Sequence, residues 1–478
     1  MEAAFARWPK AVIQFEDFQM KWAFETLQRY REKFCMFNDD IQGTAGVALA
    51  GLLGAVRAQG KSLNDFMKQK IVVVGAGSAG IGVLNMAKKA ISRMWGNNEP
   101  FDGNQFWLID KDGLITKDRK GIDPAAAPFA RGYGPEEVEG LREGASLQEV
   151  VIYSLRFLLS ICNLLIFLVK KVKPHVLLGL SGVGGIFNEE VLRAMQHSDS
   201  CRPAIFAMSN PTKNAECTPK DAFKYAGENI IFASGSPFEN VDLGNGKVGY
   251  VNQANNMYLF PGYEFLSHSS CFTRVYVFSL REDDVEEVTR PTQTVELQGG
   301  EEITVLDIGW SWASQASDQL VNKGKLMKRT LCYKSYMEEL ITMLPCFCKR
   351  IGLGALLSGA KHISDGMLQA AAEWQVITYF FKIKNLHFLK KETLPLCLAS
   401  YITDEDIQKG IIFPSISSIR HITTQVGAAV VHAAVAEGLA EGHGDVSIKE
   451  LSHMSKEETA EYVARNMWYP IYSPLVHD

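Results

Sequence analysis

The stretch that decides the fold is residues 70–92, which read KIVVVGAGSAGIGVLNMAKKAIS. Its β-branched start at 70–74 predicts a short buried strand, and the glycine-rich turn that follows leads into a helix expected to reach about Ser92. Residues 105–110, QFWLID, read as a second strand that ends in an acid. Strand, glycine turn, helix and strand form a βαβ unit. This predicts an α/β fold with a Rossmann-like, doubly wound parallel sheet.

Further apolar runs fit the same sheet. Each ends at a loop that contains glycine or proline, where folds of this kind bind their ligands. The runs are 175–180, 204–208 and 230–233. Helical spacing of apolar residues predicts helices over 21–34 and 422–439, and the small residues after Thr44 predict a closely packed helix.

The glycine-rich turn carries the motif Gly75-x-Gly77-x-x-Gly80, which is informative because it lies between a predicted strand and a predicted helix. Gly75 allows the tight turn, Gly77 lets a pyrophosphate approach the backbone, and Gly80 lets helix and sheet pack closely. The N–H groups and the dipole at the N-terminus of the helix stabilise the negative charge of the phosphate. The motif therefore predicts a dinucleotide site, and the alternative is a purely structural glycine turn.

The choice of dinucleotide depends on Asp110, which ends the second predicted strand. An acid at this place accepts hydrogen bonds from the adenosine ribose hydroxyls and so favours NAD. Three cationic residues nearby, Lys111, Lys117 and Arg119, suit the extra phosphate of NADP instead. The sequence leaves both cofactors open.

Composition limits the function classes. The chain has 478 residues, of which 47% are hydrophobic and 22% are charged, so it is a globular sequence rather than a disordered or fibrous one. The net charge of −5 provides no strong basic bias, and we expect no nucleic-acid partner. The nine cysteines are odd in number and irregularly spaced, which favours a reducing compartment.

Residues 150–169, VVIYSLRFLLSICNLLIFLV, are apolar and match the ~20 residues that a helix needs to cross a bilayer. Arg156 and Asn163 lie inside this run and would be costly in lipid. Because the run also interrupts a nucleotide-binding pattern, we expect no membrane span. The first residues are charged and aromatic without an apolar signal core, so we expect no targeting segment in this chain.

Two acidic clusters, Glu16-Asp17 and Asn38-Asp39-Asp40, stand in apolar surroundings. Carboxylates in such surroundings cost free energy unless they are paired or bound to a cation. Hard oxygen donors suit Mg²⁺ or Mn²⁺, so the clusters are candidate metal ligands. The alternative is that the first cluster caps a helix and the second forms a turn.

Asparagines follow two apolar runs, at Asn210 and at Asn255-Asn256. Their amide groups are able to donate hydrogen bonds to a substrate carboxylate. Turn chemistry, which favours asparagine and proline, is the alternative interpretation of both loops.

Eight motifs resemble the malic enzyme family and occur in the order that the family has. They are IQFEDFQ (13–19), FNDDIQGTAGVALAGLLGA (37–55), VVVGAGSAGIGV (72–83), LSGVGGIF (180–187), SNPTKNAECTP (209–219), FASGSPF (232–238), NNMYLFPG (255–262) and IGLGALLSGAKHISDGML (351–368). They are most similar to plant mitochondrial NAD-dependent malic enzymes. The resemblance implies oxidative decarboxylation of L-malate to pyruvate and CO₂, with NAD or NADP and Mg²⁺ or Mn²⁺.

The resemblance assigns roles to the acidic clusters. Glu16, Asp17 and Asp40 correspond to the family's metal ligands, and Asp39 corresponds to a neighbouring acid implicated in catalysis. In this assignment the metal holds the malate carboxylate and 2-hydroxyl while hydride leaves C2 for the nicotinamide. The cation then stabilises the enolate charge as CO₂ departs.

The resemblance also assigns the cofactor and substrate sites. Asn210 and Asn256 correspond to asparagines that contact malate, and Asn210 also belongs to the cofactor site. The remaining cofactor residues implied by the resemblance are Gly75, Ala76, Gly77, Ser78, Ala79, Gly80 and Asp110.

The same comparison divides the chain into three parts. Residues 1–40 are expected to be a remnant of the malic enzyme catalytic domain, 41–255 the NAD-binding domain, and 256–478 the return to the catalytic domain with a helical C-terminal region. We interpret three interruptions of the family pattern, at 152–170, 263–350 and 374–396, as non-family insertions. Asn252-Gln253-Ala254 also departs from the glycine-rich run usual in the family.

The leading functional hypothesis is a malic enzyme-like oxidoreductase of the mitochondrial matrix, in homo- or hetero-oligomers with malic enzyme subunits. The resemblance places the family's catalytic tyrosine and lysine upstream of this chain, together with an arginine that binds the substrate. Acid–base residues typically contribute ~10²–10⁴-fold in rate, so we expect little turnover. The alternative is a non-catalytic NAD- and metal-binding remnant or a regulatory subunit.

Overall fold

The computed structural model describes residues 1–7, 9–16, 18, 20–94, 105–132, 144, 146, 172–255, 275–279, 293–296, 302–305, 351–373, 402–415 and 418–467. The chain divides into two compact units. The first unit comprises Met1–Asp40, Phe260–Met367 and Ile419–Asp478, and the second unit comprises Ile41–Leu259 and Leu368–Ser418. The three-part division at 1–40, 41–255 and 256–478 stays a prediction.

The described strands and helices are numbered in chain order. The strands are β1 (Val12–Glu16), β2 (Met36–Asn38), β3 (Ile71–Val74), β4 (Phe106–Asp110), β5 (Gly113–Leu114), β6 (Val176–Gly179), β7 (Ala204–Ala207), β8 (Ile231–Ser234), β9 (Val241–Gly244), β10 (Lys247–Gly249), β11 (Val251–Gln253), β12 (Val275–Ser279), β13 (Gln293–Glu296), β14 (Glu302–Val305), β15 (Gly442–His443) and β16 (Val446–Ser447). The α-helices are α1 (Glu2–Arg7), α2 (Met20–Tyr30), α3 (Thr44–Ala58), α4 (Ser78–Met94), α5 (Glu189–Ala194), α6 (Pro219–Ala226), α7 (Ile351–Ser358), α8 (Asp365–Glu373), α9 (Asp404–Lys409), α10 (Ile419–Ala436), α11 (Ile448–His453) and α12 (Lys456–Arg465). A π-helix covers Asp39–Gly43.

A seven-stranded sheet forms the centre of the second unit, in the order β11-β8-β7-β6-β3-β4-β5. Its strand pairs are parallel except at one edge, where β5 runs antiparallel to β4. Every residue of β3, β6, β7 and β8 is buried, as expected for apolar strands that are covered on both faces. The predicted Rossmann-like parallel sheet is confirmed.

The order of the strands reverses at β3. The next strand along the chain, β4, pairs with one side of β3, and β6 pairs with the other side. In open α/β sheets, ligands bind at such a reversal, outside the carboxyl ends of the strands. The turn at residues 75–80 follows β3 and therefore lies at this binding position.

Apolar side chains of the sheet pack against the helices that connect its strands. On one face, Leu177, Ile205 and Phe232 are fully buried in a cluster with Leu192 of α5 and Phe223 of α6. Burial of such side chains contributes roughly 1.5–3 kcal/mol each, so this packing holds the strand ends in place.

The boundaries of several elements differ from the predicted ones. The strand predicted at 70–74 begins at Ile71, and the helix predicted at 422–439 is Ile419–Ala436. The helix predicted over 21–34 ends at Tyr30, because a hydrogen-bonded turn follows it. Strand pairing and helix capping depend on neighbouring segments, so apolar spacing alone does not define the ends.

The first unit contains a three-stranded parallel sheet in the order β12-β1-β2. Its helices α7 and α10 pack closely, since a Cβ atom on Gly354 would lie 2.6 Å from the carbonyl oxygen of Gly427. Leu357 and Tyr462 are buried in the same helical core, where the Tyr462 hydroxyl donates to the Leu357 carbonyl at 3.2 Å. The C-terminal region is helical, as predicted.

Several predicted features lie outside the described residues. They are the apolar run 150–169, the insertions 152–170 and 374–396, most of 263–350, and the side chains of Asp17 and Asn256. Among the described residues, one helical segment, Asp39–Ala58, is long and apolar enough to cross a membrane. Of its apolar stretch, 89% is buried within the structure, as in the core helix of a soluble domain.

Candidate functional site

The glycine-rich turn between β3 and α4 forms the candidate dinucleotide site. Gly75 has a φ angle of +118°, which side chains other than glycine rarely allow. A Cβ atom on Gly80 would overlap the Gly75 carbonyl oxygen, whereas a Cβ atom on Gly77 would meet no atom within 4 Å. The turn is therefore tightly packed at Gly75 and Gly80 and open at Gly77. This is the arrangement that a backbone cradle for a pyrophosphate requires.

The remaining residues of the motif lie at the start of α4. Ser78 and Ala79 begin this helix of 17 residues, and Ala76 lies in the turn before it. All three are partly exposed. The first N–H groups of a helix have no partner within the helix and favour an anion, so these residues fit a phosphate group.

Asp110 is the last residue of β4, beside the carboxyl end of β3. Its Oδ1 atom accepts a hydrogen bond from the backbone N–H of Asp112 at 2.9 Å, and its Oδ2 atom pairs with Arg119. Arg119 also donates to the Leu114 carbonyl at 3.2 Å. Lys111 instead pairs with Asp112 at 2.7 Å, and the hydrogen bond to that carboxylate raises the pKa of Lys111.

The loops after β6 and β7 meet at a buried carboxylate, that of Glu216. Its Oε1 atom accepts from the backbone N–H and the hydroxyl of Ser181, both at 2.9 Å, and from the hydroxyl of Ser209. Its Oε2 atom accepts from the Ser209 backbone N–H at 3.2 Å. Asn210 follows Ser209 directly and is exposed. Glu216 thus holds in place the loop that carries the candidate substrate residue Asn210.

Asp39 and Asp40 begin the π-helix that follows β2. Asp39 is fully buried and Asp40 is half-buried. Apolar side chains of the neighbouring strand end, Met36 and Phe37, are buried as well. Asp39 is therefore withdrawn from solvent next to buried apolar residues of β2.

The other acidic cluster lies at the adjacent strand end. β1 and β2 are parallel with Phe15 opposite Asn38, so Glu16 and Asp39 follow at neighbouring carboxyl ends. Asp17 and the Glu16 side chain are not described. Within the described part of the chain, no three His, Cys, Asp or Glu side chains are grouped to hold a metal ion. The metal-ligand assignment therefore stays a prediction.

The family model described as "Malic enzyme, NAD binding domain" matches residues 41–157 and 160–275. The chain is also 55% identical over 478 residues to "NAD-dependent malic enzyme 59 kDa isoform, mitochondrial" of Solanum tuberosum. The chain belongs to the malic enzyme family. The resemblance carried by the eight sequence motifs is confirmed.

The malic enzyme match covers 100% of this chain and 58% of the Solanum tuberosum relative. "NAD-dependent malic enzyme 2, mitochondrial" of Arabidopsis thaliana is 53% identical, with 57% of its length covered. The chain therefore spans less than two thirds of these relatives. The crystal structure of the malic enzyme from Pyrococcus horikoshii has a TM-score of 0.53 at 18% identity and covers 95% of this chain and 66% of that chain, which supports the fold.

Two contacts of the candidate site were not found by sequence reasoning. Glu216 lies beyond a polar loop, and nothing in its spacing from Ser181 or Ser209 indicates that it contacts both. Arg119 was one of three candidate cations, and only the structure brings it to the Asp110 carboxylate. Asn210 and the turn at 75–80 lie at carboxyl ends of strands, where sequence reasoning placed them.

Proposed function

We propose that this protein catalyses the oxidative decarboxylation of L-malate to pyruvate and CO₂ with NAD and a divalent metal. The observation that carries the proposal is the open cradle at Gly77 within a malic enzyme NAD-binding domain. The identity to relatives named NAD-dependent malic enzymes supports the reaction type. When bound, NAD accepts the hydride from malate.

We propose that the turn residues 75–80 hold the pyrophosphate and that Asp110 accepts from the adenosine ribose. Because the Asp110 carboxylate would face the 2′-phosphate of NADP, like charges favour NAD over NADP. The nearby Arg119 is engaged by Asp110 and by backbone carbonyls, which reduces its availability for a phosphate.

We propose that Glu16, Asp17 and Asp40 bind Mg²⁺ or Mn²⁺, with Asp39 as the neighbouring acid that takes part in catalysis. The neighbouring ends of β1 and β2 and the hard oxygen donors support this assignment. When bound, such a cation acts as a Lewis acid on the malate oxygens. The carboxylates would hold it and orient the substrate.

We propose that Asn210 and Asn256 donate hydrogen bonds to malate and that Asn210 also contacts the cofactor. The exposure of Asn210 at the carboxyl end of β7 supports its part of this assignment. For the whole protein we propose oligomers with malic enzyme subunits and the mitochondrial matrix as location. The mitochondrial names of the relatives support the location.

A malate-dependent assay of NADH formation in the presence of Mn²⁺ tests the proposed function. Because the family's acid–base residues are placed upstream of this chain, we expect only slow NADH formation by the wild-type chain, its loss in Asp40→Asn, and its retention in Asp445→Asn, which changes an exposed acid in the turn between β15 and β16. Retained NAD⁺ binding without any NADH formation would instead favour the alternative hypothesis, a non-catalytic remnant or a regulatory subunit. Absence of both binding and turnover would contradict the proposal.

A further inference from the structure

Glu216 is held rigidly at the carboxyl end of β6. It is fully buried, and a Cβ atom on Gly179, the last residue of β6, would lie 2.6 Å from its carboxyl carbon. Backbone hydrogen bonds join the same loops, from Phe187 N–H to the Glu216 carbonyl at 2.9 Å and from Gly185 N–H to the Ala215 carbonyl at 3.1 Å. The position of the carboxylate relative to the sheet is therefore determined by packing and by hydrogen bonds.

The hydrogen bonds at Glu216 all run from donors to its carboxylate oxygens, as suits a group that acts only as an acceptor. The Ser181 hydroxyl accepts from the Val183 N–H at 3.1 Å, and the Ser209 hydroxyl accepts from the Gly182 N–H at 2.9 Å. Both hydroxyl protons are thus directed to Glu216, in addition to two backbone N–H groups. Three of the four donors reach Oε1 and one reaches Oε2, so both carboxylate oxygens act as acceptors.

No cationic side chain is hydrogen-bonded to this carboxylate in the part of the chain that the structure describes. In the described part of the chain, the carboxylate is bonded to two hydroxyls and two backbone N–H groups, with no Lys, Arg or His among them. Burial raises the pKa of the neighbouring Cys217 thiol, and the charge of Glu216 raises it further. A net negative charge therefore remains beneath the loops that follow β6 and β7.

These loops border the proposed cofactor site. A Cβ atom on Gly75 would lie 2.9 Å from the backbone nitrogen of Ser181, so the β6 loop packs against the pyrophosphate turn. Asp110 ends β4 on one side of β3, and β6 and β7 lie on the other side. A dinucleotide in this fold straddles the point where the strand order reverses. With adenosine at Asp110, the nicotinamide half would lie over the loops of Ser181 and Ser209.

We propose that Glu216 is a positioning residue whose uncompensated charge favours NAD⁺, with its cationic nicotinamide ring, over NADH, with its neutral ring. The inference rests on the proposed dinucleotide site. The carboxylate acts through the loops that it holds and through its electric field, without contact with the cofactor. Relative weakening of NADH binding favours release of the reduced cofactor after malate oxidation.

Titration of NAD⁺ and NADH into wild type and Glu216→Gln, followed by protein fluorescence, tests the inference. Glutamine keeps the size of the side chain and removes its charge. We expect the ratio of the NADH Kd to the NAD⁺ Kd to fall by about tenfold, the scale of a partly screened charge–charge interaction. Ser181→Ala is the matched control, because it removes one donor and keeps the charge, so the ratio should not fall. If Glu216→Gln weakened the binding of NAD⁺ and of NADH equally, the inference would be overturned.

ADP-ribose, which lacks the nicotinamide ring, separates this inference from the proposed function. We expect wild type and Glu216→Gln to bind it equally. A wild-type protein that binds neither NAD⁺ nor ADP-ribose would contradict the dinucleotide site itself. Glu216→Asp is a second variant, since aspartate keeps the charge. We expect the ratio of its two Kd values to stay at the wild-type level, and a tenfold fall in this variant as well would overturn the inference.

Discussion

One added methyl group at Gly77 should weaken dinucleotide binding without unfolding the protein. A Cβ atom there meets no protein atom within 4 Å, so the folded chain accommodates Gly77→Ala. Because alanine restricts the unfolded chain, the free energy of unfolding should rise by about 0.4–1 kcal/mol. The same methyl group occupies the space through which a pyrophosphate approaches the backbone. We expect the NAD⁺ affinity to fall by about ten- to hundredfold, or about 1.4–2.8 kcal/mol.

Gly80→Ala provides the opposite case. Its Cβ atom would overlap the carbonyl oxygen of Gly75, a backbone atom that moves only if the turn moves. Overpacking of this kind typically costs about 1–3 kcal/mol, so both the free energy of unfolding and the NAD⁺ affinity should fall. The two variants differ by one methyl group from the same parent, yet only Gly80→Ala should lose stability.

Urea denaturation measures the free energy of unfolding of both variants, and fluorescence titration measures their affinity for NAD⁺. Wild-type affinity in a stable Gly77→Ala protein would refute the placement of the pyrophosphate over this turn. Loss of stability in Gly77→Ala would refute the reasoning that the space beside Gly77 is open.

Three further predictions concern other residues. Asp110→Asn should raise the affinity for NADP⁺ relative to NAD⁺, because it removes the charge that repels a 2′-phosphate; the ratio of the two Kd values measures this. Asn252→Ala should lower the free energy of unfolding by about 2–4 kcal/mol, because its buried amide bonds two backbone carbonyls and two backbone N–H groups, and exposed Asn64→Ala should change it little in the same urea denaturation. Burial lowers the pKa of His175 to about 4, so the unfolded chain binds its proton first, and stability should fall as the pH drops from about 6.5 to about 4. In His175→Asn this fall should be smaller when unfolding is followed across that pH range.

Much of the fold was predictable because its information is local. The β-branched residues before Gly75 specify a buried strand, the glycines specify the turn, and the spacing after Gly80 specifies a helix. The order of these elements is enough to predict a parallel sheet and the end at which ligands bind. The position of Asp110 at the end of the next strand follows from the same pattern.

The departure at Asn252 illustrates what sequence reasoning could not resolve. The sequence indicates only that a glycine-rich run of the family is replaced. In the structure the Asn252 amide is buried and donates to the carbonyls of Phe232 and Gly410 at 2.9 and 2.8 Å, while it accepts from the Ile412 N–H at 2.7 Å. Two of these partners lie more than 150 positions away along the chain, and no local pattern connects them.

The amino-acid sequence by itself determined the family, the parallel sheet and the glycine cradle, because strand, turn and helix preferences act over a few neighbouring residues. Only the tertiary structure decided that Arg119 pairs with Asp110 and that Glu216 binds both Ser181 and Ser209. Such contacts arise when separate strands are brought side by side in the sheet. A buried carboxylate must find its donors wherever the packed chain provides them, and spacing along the sequence does not reveal which donors those are.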